Sequence, residues 1–173
     1  MCRLFCTMTI CRPNLSDRMS CAGTSGAGKT TWAKRRYDGT DIISADAIRE
    51  EMFGSLTMDG DQGPVFERLR AEVVARLSVG RTVVIDATNL KREDRLSNVL
   101  LAPPDIPVEY VVIDRSMDEK RATAGWRSER PGLLEIHAQL FELELSEILD
   151  GDGLGNVRII DERAMNPLAL ETS

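Results

Sequence analysis

The 173-residue sequence holds a single histidine, His137, and its four cysteines, Cys2, Cys6, Cys11 and Cys21, all fall at the front. None of their spacings is C-x-x-C, so the ligand set of a structural zinc site is missing and reduced thiols are expected. No apolar run reaches membrane-spanning length. The stretch Leu4 to Ile10 behind Arg3 is short, broken by Cys and Thr, and followed by no clean small-residue cleavage site, so it does not read as a signal peptide. A cytoplasmic location without a membrane partner is the resulting expectation. A basic excess is absent as well. Lys and Arg number 22 against 28 Asp and Glu, a net charge of −6, which argues against a protein that coats nucleic acid nonspecifically but leaves room for a local basic cleft. There are no internal repeats, and 42% hydrophobic residues suffice for one globular core.

Against these absences stands one dense motif, Gly23-Thr24-Ser25-Gly26-Ala27-Gly28-Lys29-Thr30-Thr31. It satisfies G-x-x-x-x-G-K-[ST], the pattern in which side-chain-free backbone wraps a triphosphate with converging N–H donors. Lys29 is positioned to reach the β and γ phosphates and the Thr30 hydroxyl to ligand Mg²⁺, with the positive end of the following helix on the anion. ATP and Mg²⁺ are therefore the expected cofactors. A phosphate loop should follow a strand. Residues 17–22 are expected to supply it although they are polar for a buried strand; Leu4 to Cys11 is better by composition but too far from the loop. Residues 1–14 are accordingly read as an N-terminal extension, 15–160 as the domain, and 161–173 as a tail.

Downstream, strands and helices alternate. The strand Asp41–Ser44 runs into a helix with Ser44 as N-cap, and Asp46 and Arg49 then share one face of its first turn, at the carboxyl end of a strand. Pro64 opens a helix whose Val65, Phe66, Leu69, Val73 and Leu77 recur at core spacing. Residues Arg81–Asp86 form an apolar strand ending in a carboxylate, as in enzymes that hold an acid near the Mg²⁺ waters. Thr88 and Asn89 either cap the helix of 91–101 or contact ligand. After a strand at 108–113, Ser116-x-x-Glu119 is a capping box. Residues 125–131, with Arg127 and Arg130, interrupt the helical pattern like a lid, and a helix from about Leu133 carries a broad apolar stripe. The expected architecture is α/β: a three-layer P-loop NTPase-type domain with a central parallel sheet.

Motors and switches on such domains need additions that 173 residues hardly accommodate, whereas compact kinases use an arginine-bearing lid. Thr9-Ile10, Leu15-Ser16, the segment from Gly23 to Lys34, Ile-Ser-Ala-Asp-x-x-Arg (43 to 49), Val-Val-Ile-Asp-Ala-Thr-Asn (83 to 89) and Arg-Ser-Glu-Arg (127 to 130) together resemble the 5′-hydroxyl polynucleotide kinase domain of bacterial and phage end-healing enzymes. The resemblance runs from residue 9 to about 160. It implies transfer of the γ phosphate of ATP to the 5′-OH end of DNA or RNA in nucleic-acid repair. Asp46 would be general base and Arg49 a clamp on the acceptor's first internucleotide phosphate. Arg127 and Arg130 would be lid contacts to the donor phosphates, with Arg130 the chief cation, and Lys29 and Thr30 would keep their loop roles. Asp86, Thr88 and Asn89 match a further motif of that family, Asp86 beside the metal and the other two beside the acceptor. His137 lies near a histidine expected after the lid, and Trp126 either stacks on a base or packs under the lid. No D-x-D-x-T occurs, so the phosphatase half of many such enzymes is not expected in this chain; a phosphatase or ligase partner on another chain and a homo-oligomer stay open. Two rivals are carried forward: a kinase of a small hydroxylated metabolite or antibiotic, and a non-catalytic ATP-binding module.

Overall fold

The computed structural model describes residues 6–10, 25–57, 60–104, 106–113 and 115–161. In chain order these hold β1 (Cys6–Ile10), α1 (Lys29–Arg36), β2 (Ile42–Ser44), α2 (Ala45–Phe53), α3 (Gly63–Ser78), β3 (Val83–Asp86), α4 (Arg92–Val99), β4 (Val108–Val112), α5 (Met117–Ala122), α6 (Leu133–Leu149) and β5 (Val157–Asp161). Short 3-10 turns occupy Gly125–Glu129 and Gly151–Gly153. The strands form one sheet in the order β2-β3-β1-β4-β5. Alternation sorts the side chains into two layers of core. Val83 and Ile85 of β3 and Val108, Tyr110 and Val112 of β4 face α3, α4 and α6, where Leu69, Val73, Val99 and Phe141 are buried. Val84 and Val111 face the other way, onto Trp32 and Ala33 of α1. Helices thus cover both faces of the sheet, the three-layer α/β arrangement the alternating pattern leads one to expect.

The centre of the sheet departs from expectation. Residues 6–10 are not an extension but its middle strand, and β1 runs antiparallel to both neighbours, with Met8 opposite Ile85 and Tyr110. The pairs β2–β3 and β4–β5 are parallel. Cys-Thr-Met-Thr-Ile is rich in β-branched residues, which suits a central strand. Residues 11–24 then separate β1 from the described part of the phosphate loop. The strand expected at 17–22 lies outside the described residues.

What this frame positions is one edge. Strands β2, β3 and β4 all end on it, delivering Asp46, Asp86 and Arg115 respectively. Among the described residues no helix is long and apolar enough to cross a membrane.

Candidate active site

The phosphate loop is built by backbone freedom at two glycines. Gly26 has φ 83° and Gly28 φ 93°, left-handed conformations that L side chains rarely adopt, and Gly28 leads directly into α1 with Trp32 N–H donating to its carbonyl at 2.9 Å. Ser25, Ala27 and Lys29 are buried along this turn. Gly23 and Thr24 lie outside the described residues.

Thr30, in the first turn of α1, donates its hydroxyl to Asp86 Oδ2 at 2.6 Å. A hydroxyl and a carboxylate side by side at a helix N-terminus are hard oxygen donors that suit Mg²⁺, which keeps several waters and takes its other ligands from substrate phosphates. No group of three His, Cys, Asp or Glu able to hold a metal exists among the described residues. The site therefore matches an ion brought in with a nucleotide better than one caged by the protein. Thr30 and Asp86 are the residues that would hold it.

Helix α2 starts with Ser44, whose Oγ accepts from Ala47 N–H at 3.4 Å, and carries Asp46 and Arg49 on one face. Arg49 Nη1 donates to Asp46 Oδ1 at 2.5 Å, and its Nε donates to Gln62 Oε1 at 2.9 Å. From the lid, Arg127 Nη2 donates to the second carboxylate oxygen, Asp46 Oδ2, at 3.2 Å. Arg127 is in turn stacked on its neighbour, its guanidinium carbon 4.7 Å from the centre of the Trp126 ring. That contact, within the lid, is where the structure places Trp126.

Two clefts meet at this point. One, enclosing about 400 Å³ of empty space including open solvent, is lined by Asp46, Arg49, Phe66, Asp86 and Thr88 together with Lys29, Thr30 and Arg127. The other, of about 640 Å³ on the same measure, is lined by Gly26, Gly28, Thr31, Arg115 and Thr123 with the same Lys29, Thr30 and Arg127. The first mixes acids and bases. Among the described residues the second has three cations and no acid. A chain of net charge −6 thus concentrates positive potential on its phosphate loop, as an anion site requires.

His137 of α6 lies close enough to feel Lys29, Arg127 and Arg130. Burial, and then those three cations, push its pKa down from 6.5 to about 4, so the ring is neutral at pH 7. Its Nδ1 is buried without a hydrogen-bond partner.

Two expected roles do not fit this geometry. Asn89 is 2% exposed with φ 44°, and its Oδ1 accepts from Asn98 Nδ2 at 3.1 Å, so its amide oxygen fastens the loop after β3 from inside. Nor do Thr88 or Asn89 cap α4, whose N-cap is Lys91 with no side-chain bond. In the lid, Arg127 and not Arg130 lines the clefts, because Arg130 stands where the 3-10 turn ends, at φ −120°, ψ 84°. Missed from the sequence were Phe66, read as core only, Gln62, which orients Arg49, and Arg115. The one signal for Arg115 was its place immediately before the capping box.

A model of the AAA domain family matches residues 19–140. The chain belongs to this family. Its members are P-loop NTPase-like and include polynucleotide kinase-like and other P-loop kinases. No curated protein matches the chain. In this AAA domain protein Asp86 and the Asp46–Arg49 pair line one cleft, the loop glycines and Arg115 line the other, and Lys29, Thr30 and Arg127 line both.

Proposed function

We propose that this protein is an ATP-dependent polynucleotide 5′-hydroxyl kinase, transferring the γ phosphate of ATP to the 5′-OH end of DNA or RNA. The observation that carries the reading is the join between the clefts: an aspartate–arginine pair faces one, the charged residues described along the other are all cations, and Lys29, Thr30 and Arg127 belong to both. Mere nucleotide binding needs no second cleft with a carboxylate in it.

In the reaction, the 5′-oxygen attacks the γ phosphorus, the bond from that phosphorus to the bridging oxygen breaks, ADP leaves, and the 5′-OH proton passes to Asp46. Bound Mg²⁺, held through Thr30 and Asp86, would neutralise charge on the β and γ oxygens. Lys29 and Arg127 do the same from the protein side. Arg49 commits Nη1 to Asp46 and Nε to Gln62, which fixes the guanidinium plane; Nη2, with no bond among the described residues, faces an acceptor phosphate. Phe66 beside it offers an apolar surface to the terminal nucleoside. Arg127 bonds Asp46 Oδ2 in the structure; on donor binding it has phosphates to turn to, and the oxygen it releases becomes the base.

The decisive experiment gives labelled γ phosphate of ATP to a 5′-OH oligonucleotide, a nucleoside 3′-phosphate, the bare nucleoside and a panel of sugars. The expected order places the oligonucleotide and the 3′-phosphate well above the bare nucleoside, because the contact to Arg49 positions the hydroxyl. Equal rates with and without the 3′ phosphate would move the assignment to a small-metabolite kinase.

A further inference from the structure

The lid and Lys29 do not account for the whole charge of the acid-free cleft. Its third cation, Arg115, follows β4 and precedes the N-cap of α5, and its guanidinium lies directly against the phosphate loop. A Cβ placed on Gly28 would sit 2.9 Å from Arg115 Nη2, 3.1 Å from Cζ and 3.2 Å from Nε. The positive φ of Gly28 is what requires glycine there; the Arg115 contact is made by the flexible end of its side chain.

Two facts make this a ligand-facing cation and not a structural one. The first is that no polar group among the described residues bonds it. Glu119, whose charge acts on Arg115, is itself held by the capping box: its carboxylate accepts from Ser116 N–H at 2.9 Å and from Ser116 Oγ at 2.7 Å, bonds that hold its pKa below the usual carboxylate value, with a smaller contribution from Arg115. The second is that the same box orders the backbone at Ser116, so the residue before it is aimed and not loose. A half-buried guanidinium over the loop, beside Lys29 and Arg127 and with no ion pair among the described residues, raises a positive potential that an anion would relieve.

We infer that Arg115 is a binding residue for the donor's phosphates, with Ser116 and Glu119 as its positioning residues. The inference rests on the donor reading of this cleft and extends the proposed kinase site by one cation that sequence motifs do not assign.

The test is equilibrium binding of Mg²⁺–ATP and, separately, inorganic tripolyphosphate to the full chain, which needs no acceptor and no turnover. Arg115→Ala should weaken both about tenfold to a hundredfold, the range of a lost charge-assisted hydrogen bond. Arg115→Lys should recover part of the loss, since it keeps charge but not the planar fork. Arg121→Ala removes the same charge from α5 outside the cleft and should bind as wild type. Should Arg115→Ala melt early, the Lys and Gln variants, which keep the stem on Gly28, are measured in its place. Binding of both probes within twofold of wild type overturns the inference. A loss for ATP but not for tripolyphosphate also overturns it, by moving the contact to the nucleoside. If the phosphate-binding loss appears while no 5′-OH acceptor is phosphorylated, the proposed function fails and this assignment stands.

Discussion

Arg95 and Arg49 each meet an aspartate, yet the two pairs serve opposite ends. Arg95 and Asp152 have side chains with 0% exposure, and every N–H of that guanidinium is engaged: Nε and Nη2 on Asp152, Nη2 also on Glu144, Nη1 on the Leu90 and Asn89 carbonyls. Tyr110 adds its hydroxyl to Asp152 Oδ2 at 2.7 Å. The Asp46 side chain, by contrast, is 41% exposed and shares its two oxygens between Arg49 and Arg127, while Arg49 Nη2 has no bond among the described residues. A guanidinium has five donors. Where all are satisfied by protein in the dry interior, nothing remains for a ligand, and the pair joins α4, β4 and the Gly151–Gly153 turn. Where donors are left over at a cleft, the pair can hold something else. Saturation, more than the presence of an ion pair, separates architecture from chemistry.

The largest way to break that contrast is Asp152→Asn, which keeps the shape and tolerates the left-handed φ of 57° but leaves the buried Arg95 with only the partly exposed Glu144 as counter-charge. The expected loss is about 3–5 kcal/mol of stability, or roughly 6–20 °C in Tm for a chain of this size, with ATP binding per folded molecule unchanged. A urea titration that moves by less than about 1 kcal/mol would show the buried network to be dispensable.

Next comes His137. Between its ordinary pKa of 6.5 and its folded value of about 4, the unfolded chain binds a proton that the folded chain refuses. Stability from this group is therefore whole above 6.5 and lost as pH falls toward 4, by about 3 kcal/mol at most. His137→Gln should flatten the fall in urea midpoint across that window relative to wild type. Parallel curves for the two proteins would mean that the ring is solvated and not pressed among the cations.

On the open pair, Asp46→Asn keeps an acceptor of the same shape and removes the base. Phosphoryl transfer should drop by ~10² or more, with Mg²⁺–ATP binding and Tm retained. An early melt with normal turnover in the folded fraction would make Asp46 architectural and Asp86 the next candidate for the base.

How far the sequence revealed this follows from how local each signal is. The phosphate loop, the carboxylate closing Val83–Asp86, the Asp46–Arg49 spacing and the Ser116–Glu119 box are each complete within one short segment, and each appears where its pattern places it. The Arg95–Asp152 bond spans 57 residues, and an arginine in a helix reads as solvated until its partner is known. Arg127 was separated from Arg130 only by where a 3-10 turn ends. The strand at Cys6–Ile10 is legible in its composition, but nothing local shows that it would run antiparallel to both neighbours. Asn89 matched a motif by identity, while its left-handed backbone turned it to Asn98.

The smallest effect sharpens the comparison within a single helix turn. Ser44 and Asp46 both stand at the start of α2, and both are oxygen acceptors near free N–H groups, so a functional carboxylate and a structural cap are only two residues apart. Ser44 holds Ala47 N–H at 3.4 Å, a long bond, so Ser44→Ala should cost about 0.5–1 kcal/mol, the low end for an N-cap. The turn is also fastened by Arg49, which ties Asp46 to Gln62 of the next helix, so losing the cap should not release the carboxylate. The rate per folded molecule should then stay within a few-fold of wild type while Tm falls by roughly 1–4 °C. A double variant, Ser44→Ala with Asp46→Asn, should show additive losses, stability from one and rate from the other. If Ser44→Ala alone removes as much rate as Asp46→Asn at unchanged Tm, the hydroxyl itself takes part in the chemistry, and the division between cap and base within this turn is wrong.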